Sequence, residues 1–591
     1  MKLNFKMLLA VLLSAFILVS CDQILWREIN IEPPQNSFEL VLRDSEGGTF
    51  ESNPSKSAYS AGETVTVRAV PNDGFLFGGW SDGVSELERT IVINGDMELG
   101  GEFIRRSWTI VMYMAADNDL ESAAILDINE MEAADIEGSG ITVLALIDRA
   151  EGYDGTNGNW TDTRLYEIKH DEDGLNGNII SERISCNTLG LLKDADSELD
   201  MADPNVLHNV LRFAQKQYPA SEYGLVMWGH GTGWRGGTVA ATAEAGAAGS
   251  TRSYGTVVAT DATSSAAISG GTPSGYRAFA IDDYSASYMT ISQVHDAISK
   301  LPKKLGFIGF DTCYGALLES AWEFRNDAQF MVGSENIVPS NGWNYQIFLD
   351  SAAAETCQNA TDSTAAQAQA SSRAVQTSQV MRAAASAGDA GSPAETLADC
   401  AVAAFSEQYT GMASASISKI NLSKVEGLKS AFERFCASVI SGITSSSAAR
   451  NVLNCVMSDV VSFSYPGSAC DMYIDLYSFV NQMNQSKDSI FSEPDDTETF
   501  THMDSRRSSF VTALNKAVSS WSGNGAKNAK LGIYFSPLTS SGAPSYNFSP
   551  AYIKNSGDLT QSAFVAESQN WVPERNQTTA TVLNRIFFTD F

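Results

Sequence analysis

Trp108-Thr109-Ile110-Val111-Met112-Tyr113-Met114 opens the part of the chain that decides the fold. This apolar run is closed by Asp117-Asn118-Asp119 and followed by a helical pattern over residues 120–134 and a second apolar run over 141–147. Strands alternating with helical patterns specify βαβ units and a parallel sheet. Further short strands are predicted at 224–228, 305–310 and 329–332, each ending on Gly or polar residues. In open α/β sheets the site lies at the carboxyl ends of the strands, so chemistry is expected there.

Two of these ends carry reactive side chains. After the strand at 224–228 comes Gly229-His230-Gly231-Thr232-Gly233-Trp234, an imidazole between glycines that let backbone approach a substrate. His230 is a candidate general base. After Phe307-Ile308-Gly309-Phe310 comes Asp311-Thr312-Cys313-Tyr314-Gly315-Ala316 and then an apolar helical pattern. The thiol is therefore expected near a helix start, where the helix N-terminus favours thiolate. The two residues are 83 positions apart, but side-by-side strands in one parallel sheet would bring them together as nucleophile and base. A lone His or Cys is usually structural; the pair at two strand ends carries more weight.

Composition narrows the classes. The 591 residues hold 39 Lys+Arg against 70 Asp+Glu, a net charge of −31, with 43% apolar and 18% charged residues. Such a chain buries a sizeable core in more than one domain. The acidity argues against a nucleic-acid partner, since that affinity needs clustered cations, and gives weak support to cationic substrates.

The N-terminus suggests the compartment. Lys2 and Lys6 precede an apolar run over 8–19 that is too short to span a bilayer, which reads as a signal peptide. Its end, Leu18-Val19-Ser20-Cys21, resembles the bacterial lipobox. The expected organisation is a lipoprotein signal at 1–20, a tether at 21–37, a small β-domain at 38–104 and an α/β domain at 105–591. Flexible insertions are expected at about 236–275 and 352–393, which are rich in small residues. No later stretch of 18 apolar residues follows, so the expectation is a protein held to a membrane of the bacterial cell envelope, periplasmic or surface-exposed, by lipid on Cys21. Eight cysteines occur without any C-x-x-C pair; setting Cys21 aside leaves seven, and Cys313 is the candidate unpaired thiol. The other six could form up to three disulfides or sit as buried hydrophobes.

Two resemblances add to this reading. Gly47-Gly48-Thr49-Phe50, Tyr59-Ser60-Ala61-Gly62-Glu63-Thr64-Val65, Pro71-Asn72-Asp73-Gly74-Phe75, Phe77-Gly78-Gly79-Trp80-Ser81 and Glu102-Phe103 resemble the internalin-type β-repeat, which implies a spacer or adhesive module. The run from Trp108 to Glu121, Gly229-His230-Gly231, Phe310-Asp311-Thr312-Cys313, Gly333-Ser334-Glu335 through Pro339, Gly342-Trp343-Asn344-Tyr345 and Leu531-Gly532-Ile533-Tyr534-Phe535-Ser536-Pro537 look like the clostripain family of cysteine peptidases.

The second resemblance implies a caspase-like α/β fold, a mostly parallel sheet flanked by helices, preceded here by the small all-β domain. It implies that Cys313 is the nucleophile, that His230 transfers the proton, and that the backbone N–H groups of Gly231 and Cys313 form the oxyanion hole. It also implies polypeptide substrates with Arg or Lys before the scissile bond. Asp311 then sits where a carboxylate pairs with a guanidinium; capping of the following helix is the alternative. Glu335 is a second candidate, at the pocket rim. Thr312 departs from the small residue expected there, and the insertion at 352–393 departs more.

The family's prototype uses calcium, so calcium is a candidate cofactor by resemblance. Asp117, Asn118 and Asp119 lack a full ligand loop and read as helix capping, Asp282-Asp283 as a turn before a solvated helix, and no metal ligand is assigned. His170, His208, His295 and His502 have no partners at metal spacing. Family members are often cut between the histidine and cysteine segments; here Arg252 lies inside the 236–275 stretch and Arg277 just beyond, both candidate self-cleavage points. The competing reading is a non-catalytic binding lipoprotein on an inactive caspase-like scaffold, against which both dyad residues speak. A serine esterase would need a Gly-x-Ser-x-Gly elbow, which is not visible.

Overall fold

A computed structural model describes residues 37–193, 197–233, 279–285, 287–359, 391–442 and most of 451–534. The expected signal peptide, Cys21, nearly all of the tether, Arg252, Arg277, the 236–275 insertion and positions 535–537 lie outside the described residues. The chain divides into two compact units, Met1–Ile104 and Arg105–Phe591.

The first unit is all-β. Gly48–Asn53, Glu63–Pro71 and Glu88–Ile93 form one antiparallel three-stranded sheet, and Leu40–Arg43, Met97–Arg105 and Phe75–Trp80 form a second. Alternation along Glu63–Pro71 turns Val65, Val67 and Ala69 inward, where they meet Phe50, Trp80 and Phe103 in a separate core.

The second unit is α/β. In chain order it comprises β1 (Trp108–Ala116), α1 (Glu121–Ala133), β2 (Ile141–Arg149), β3 (Thr163–Glu167), β4 (Glu182–Ile184), α2 (Pro204–Gln217) and β5 (Glu222–Trp228). Then come β6 (Phe279–Asp282), β7 (Ser287–Met289), α3 (Ile291–Ile298), β8 (Leu305–Asp311), α4 (Leu318–Glu323), β9 (Ala328–Gly333), α5 (Tyr345–Asn359) and α6 (Pro393–Gln408). The last described elements used below are β10 (Ser416–Asn421), α7 (Val425–Gly442), β11 (Ser462–Ser464), β12 (Met472–Asp475), α8 (Leu476–Gln485), α9 (Thr497–Ala517), β13 (Val518–Ser522) and β14 (Gly532–Tyr534).

One nine-stranded sheet runs in the order β4-β3-β2-β1-β5-β8-β9-β10-β13. The five central strands are mutually parallel and the two at each edge antiparallel. Helices α1, α5 and α6 cover one face, and α2, α3, α4, α7 and α9 the other. This is the flanked, mostly parallel α/β sheet that the sequence predicts, and double coverage explains why β1, β2 and β8 are buried at every position. Two of the helices begin where capping chemistry places them. Asp203 caps α2 ahead of Pro204, and Thr290 with Gln293 forms a capping box on α3. Helix α5 continues to Asn359, so the start of the expected 352–393 insertion is helical; residues 360–390 lie outside the described residues. Among the described residues no helix is long and apolar enough to cross a membrane.

Candidate active site

The register of β5 against β8 positions the site. Trp228 lies opposite Asp311 in this parallel pair, so His230 and Cys313 each follow two residues beyond the same rung, on adjacent strand ends. The two loops touch: a Cβ placed on Gly231 would lie 2.6 Å from the Cys313 carbonyl oxygen and 2.7 Å from the Thr312 Cβ. Only glycine permits that approach. Gly229 supplies the turn out of β5 with φ +133°, and its Cα faces the Ala115 carbonyl of β1. Beyond residues 234–278 the chain returns to the same place, where Phe279 bridges Gly231 and its ring meets Phe310 of β8.

Cys313 is 5% exposed. Its sulfur accepts the Val338 N–H at 3.4 Å, a donor that favours the thiolate. The expected helix N-terminus is not what faces it. Tyr314 adopts φ +57° and stacks on Tyr473 of β12, and Leu317 bridges Gly532, so helix α4 starts only at Leu318 and runs six residues. Five described cysteines, Cys186, Cys313, Cys400, Cys436 and Cys455, are free thiols and all are buried, which removes them from any disulfide scheme. Burial pushes the Cys400 and Cys436 thiols well above their ordinary value.

His230 is 1% exposed, and its Nε2 meets Oδ1 of Asp119 at 2.6 Å. Burial raises the Asp119 carboxyl, but the hydrogen bond and charge of His230 outweigh it, leaving Asp119 below the ordinary carboxylate value. Helix capping, which the sequence suggests for the Asp117-Asn118-Asp119 turn, is not its main use: Leu120 is the N-cap of α1 and has no side-chain cap bond. Asn118 accepts the Leu120 N–H and donates to the Ala115 and Ile281 carbonyls, while Asp119 turns to His230. The contact spans 111 residues; the only sequence signal is that the turn lies at the carboxyl end of β1, next to β5.

Asp311 is fully buried on the face covered by α5, and it does not cap α4. Its Oδ2 accepts the Trp343 N–H at 3.0 Å and the Tyr345 hydroxyl at 2.8 Å, fixing the 342–345 loop beside the site. Glu130 of α1 holds the same loop by accepting the Tyr345 N–H, and burial pushes its carboxyl up to about 7. A raised carboxyl binds its proton more readily in the folded chain, so stability on this account rises as pH falls from above 7 toward 4.5. Glu130→Gln keeps the acceptor without the charge; it should stabilise the protein at pH 8 by on the order of 1–3 kcal/mol and hardly at all at pH 4, read by denaturant unfolding at both values.

Glu335 is not at a pocket rim. It is 1% exposed, its Oε1 lies 3.8 Å from Lys530 Nζ, and Asp475 at the end of β12 is 3.7 Å from the same amine. Burial and the Asp475 charge push Glu335 well up, against Lys530. The segment after β9 is held here by Tyr314 and Ala316, whose N–H groups donate to the Asn336 and Ser334 carbonyls.

A second carboxylate group lies close by. Asp117, Asp148 and Asp282 are buried and present oxygens within 4.8 Å of one another. Asp282, which reads in the sequence as part of a turn before a solvated helix, is fully buried.

A model of the Clostripain family matches residues 112–246 and 265–530, about two thirds of the chain, including Asp119, His230, Asp311, Cys313 and Glu335. The chain belongs to the clostripain family. Its fold and family are those of a cysteine peptidase. Clostripain from Hathewaya histolytica is 33% identical over 132 residues, 22% of this chain and 24% of that protein, so the match spans about a quarter of that relative's length. Among solved structures, a secreted C11 cysteine protease from Bacteroides thetaiotaomicron in complex with an irreversible peptide inhibitor shares 18% identity over 78% of this chain and 99% of that chain, with a TM-score of 0.42. An inactive zymogen C11 protease from Parabacteroides distasonis shares 18% identity over 72% and 91%, with a TM-score of 0.41. The N-terminal unit matches the divergent InlB B-repeat domain over residues 38–103.

Proposed function

We propose that the protein is a cysteine endopeptidase that cleaves after Arg or Lys through Cys313 and His230, held at a cell-envelope membrane by lipid on Cys21. The observation that carries the catalytic part is the contact of Gly231 with the Cys313 carbonyl at two in-register strand ends. His230 takes the thiol proton, and the sulfur attacks the scissile carbonyl carbon. The resulting oxyanion is received by the backbone N–H groups of Gly231 and Cys313. Collapse of the tetrahedral intermediate breaks the C–N bond, and His230 returns the proton to the leaving amine. Water, deprotonated by His230, then hydrolyses the thioester and regenerates the thiol. Asp119 acts as a positioning residue: bound to Nε2, it leaves Nδ1 as the nitrogen that exchanges protons with Cys313. Asp311 is the carboxylate assigned to the basic side chain of the substrate, in a loop frame set by Trp343 and Tyr345. Limited alkylation with iodoacetamide and peptide mapping tests the nucleophile: Cys313 should be modified ahead of Cys400 and Cys436, and labelling of those two before Cys313 would contradict the assignment.

Self-cleavage between the two segments belongs to the same proposal. A cut after Arg252, or after Arg277, would leave fragments joined through the β5–β8 pairing. N-terminal sequencing of incubated wild type should find a new end at residue 253 or 278 that is missing from Cys313→Ala; a fully active wild type that stays one intact chain would remove the requirement. For the anchor, the processed chain should partition into detergent and carry lipid on Cys21, since two acyl chains hold stably where one does not. Cys21→Ser remaining processed and membrane-bound would contradict it.

A further inference from the structure

We propose that Tyr473 of β12 is a positioning residue that clamps the His230 loop to the Cys313 loop. The inference rests on the Cys313–His230 reading given above and adds a third element to it. The Tyr473 side chain is fully buried and touches both loops at once. Its hydroxyl donates to the Thr232 carbonyl, two residues beyond His230, across 241 positions of chain. Its ring stacks on Tyr314, the residue after Cys313, with centroids 4.7 Å apart and planes at 26°.

Both contacts fall on backbone that local sequence does not fix. Tyr314 holds φ +57°, a left-handed conformation that is unfavourable for a bulky side chain and persists only where its surroundings enforce it. The stack on Tyr473 and the Tyr314 N–H bond to the Asn336 carbonyl supply that enforcement. On the other loop, a Cβ placed on Gly233 would lie 2.8 Å from the Tyr314 Cβ and 2.9 Å from the Tyr473 hydroxyl oxygen. The histidine loop therefore packs directly against both tyrosines.

The clamp is itself anchored. Strand β12 pairs with β11 and β14 in a small antiparallel sheet, and Gly532 of β14 donates its N–H to the Ala316 carbonyl at 3.0 Å. Asp475 at the end of β12 and Glu335 both approach Lys530. The sheet that carries Tyr473 is thus tied to the segment after Cys313, and its hydroxyl reaches across to the segment after His230. A loop pinned at Thr232 holds His230 and the Gly231 N–H in place relative to the sulfur. Misplacing reacting groups by about 1 Å can cost on the order of 100-fold in rate. Tyr473 acts through the loop backbone and takes no part in proton transfer.

The test compares wild type, Tyr473→Phe and Cys313→Ala as full chains. Phe keeps the ring stack and removes only the hydroxyl. On Arg- and Lys-ended peptides kcat should fall about tenfold, with KM within about twofold and the melting temperature nearly unchanged. A histidine loop that drifts from the sulfur stabilises the thiolate less. The midpoint of the pH profile for Cys313 alkylation by iodoacetamide should therefore move to higher pH, a readout that needs no turnover. A merely structural tyrosine would lower the melting temperature and leave both quantities unmoved per folded molecule. The proposal is overturned if Tyr473→Phe keeps the wild-type kcat or the wild-type alkylation midpoint. If wild type cleaves neither peptide, or Cys313→Ala cleaves both, the proposed function fails, and the alkylation midpoints alone decide the role of Tyr473. Should Tyr473→Phe not fold, hydrogen exchange of the wild type decides. Peptides over 229–233 and 472–475 should be protected alike, and free exchange at 229–233 beside a protected β12 would overturn the clamp.

Discussion

Replacing Cys313 or His230 by Ala is expected to lower kcat/KM on Arg- and Lys-ended peptides by about 10⁴-fold or more, while the protein stays folded. The sulfur at the β8 end is the proposed nucleophile, and Ala supplies none. Truncation at 313 removes one sulfur that accepts the Val338 N–H at 3.4 Å, a small structural loss. Truncation at 230 releases Asp119, whose side chain is already 53% exposed and can turn to water. Because nucleophile and base act as one unit, the double variant should be no worse than either single one. Steady-state kinetics with unfolding curves on the three proteins checks this; near-normal turnover in either single variant would break the assignment.

Asp311→Asn carries the second large effect. The amide oxygen can still accept the Trp343 N–H and the Tyr345 hydroxyl, so the 342–345 loop should hold and the melting temperature should change little. Only the charge is lost. A buried guanidinium or ammonium left without its carboxylate costs several kcal/mol, so kcat/KM on basic substrates should fall by about 100-fold or more. Asp311→Ala should in addition loosen the loop, so comparing the two separates charge from scaffold. If Asp311→Asn cleaves Arg peptides as well as wild type, Asp311 serves the loop alone and the specificity determinant lies elsewhere.

The sheet was legible because burial on both faces leaves long apolar strands, and the runs at 109–114, 224–228 and 305–310 coincide with β1, β5 and β8. His230 and Cys313 were legible for the same reason: each follows such a strand, and parallel strands end at the same edge. Contacts made across many residues were not. Nothing local tells that Asp119 turns to His230 and not to its own helix, or that Glu335 faces Lys530 across 195 positions and is sealed from solvent. The early start assumed for α4 failed because Tyr314 takes a left-handed conformation, which non-glycine residues rarely signal in sequence. The turn at Asp282-Asp283 was legible, but the burial of Asp282 was not; only the fold shows that Asp117 and Asp148 meet it.

The central claim is tested most directly by hydrolysis of short fluorogenic peptides ending in Arg, Lys, Asp or Asn, with the wild-type protein and Cys313→Ala side by side. The account predicts cleavage of the Arg and Lys peptides, none of the Asp and Asn peptides, and loss of all turnover in Cys313→Ala. Cleavage that survives in Cys313→Ala, or a wild type that prefers Asp or Asn, would contradict it.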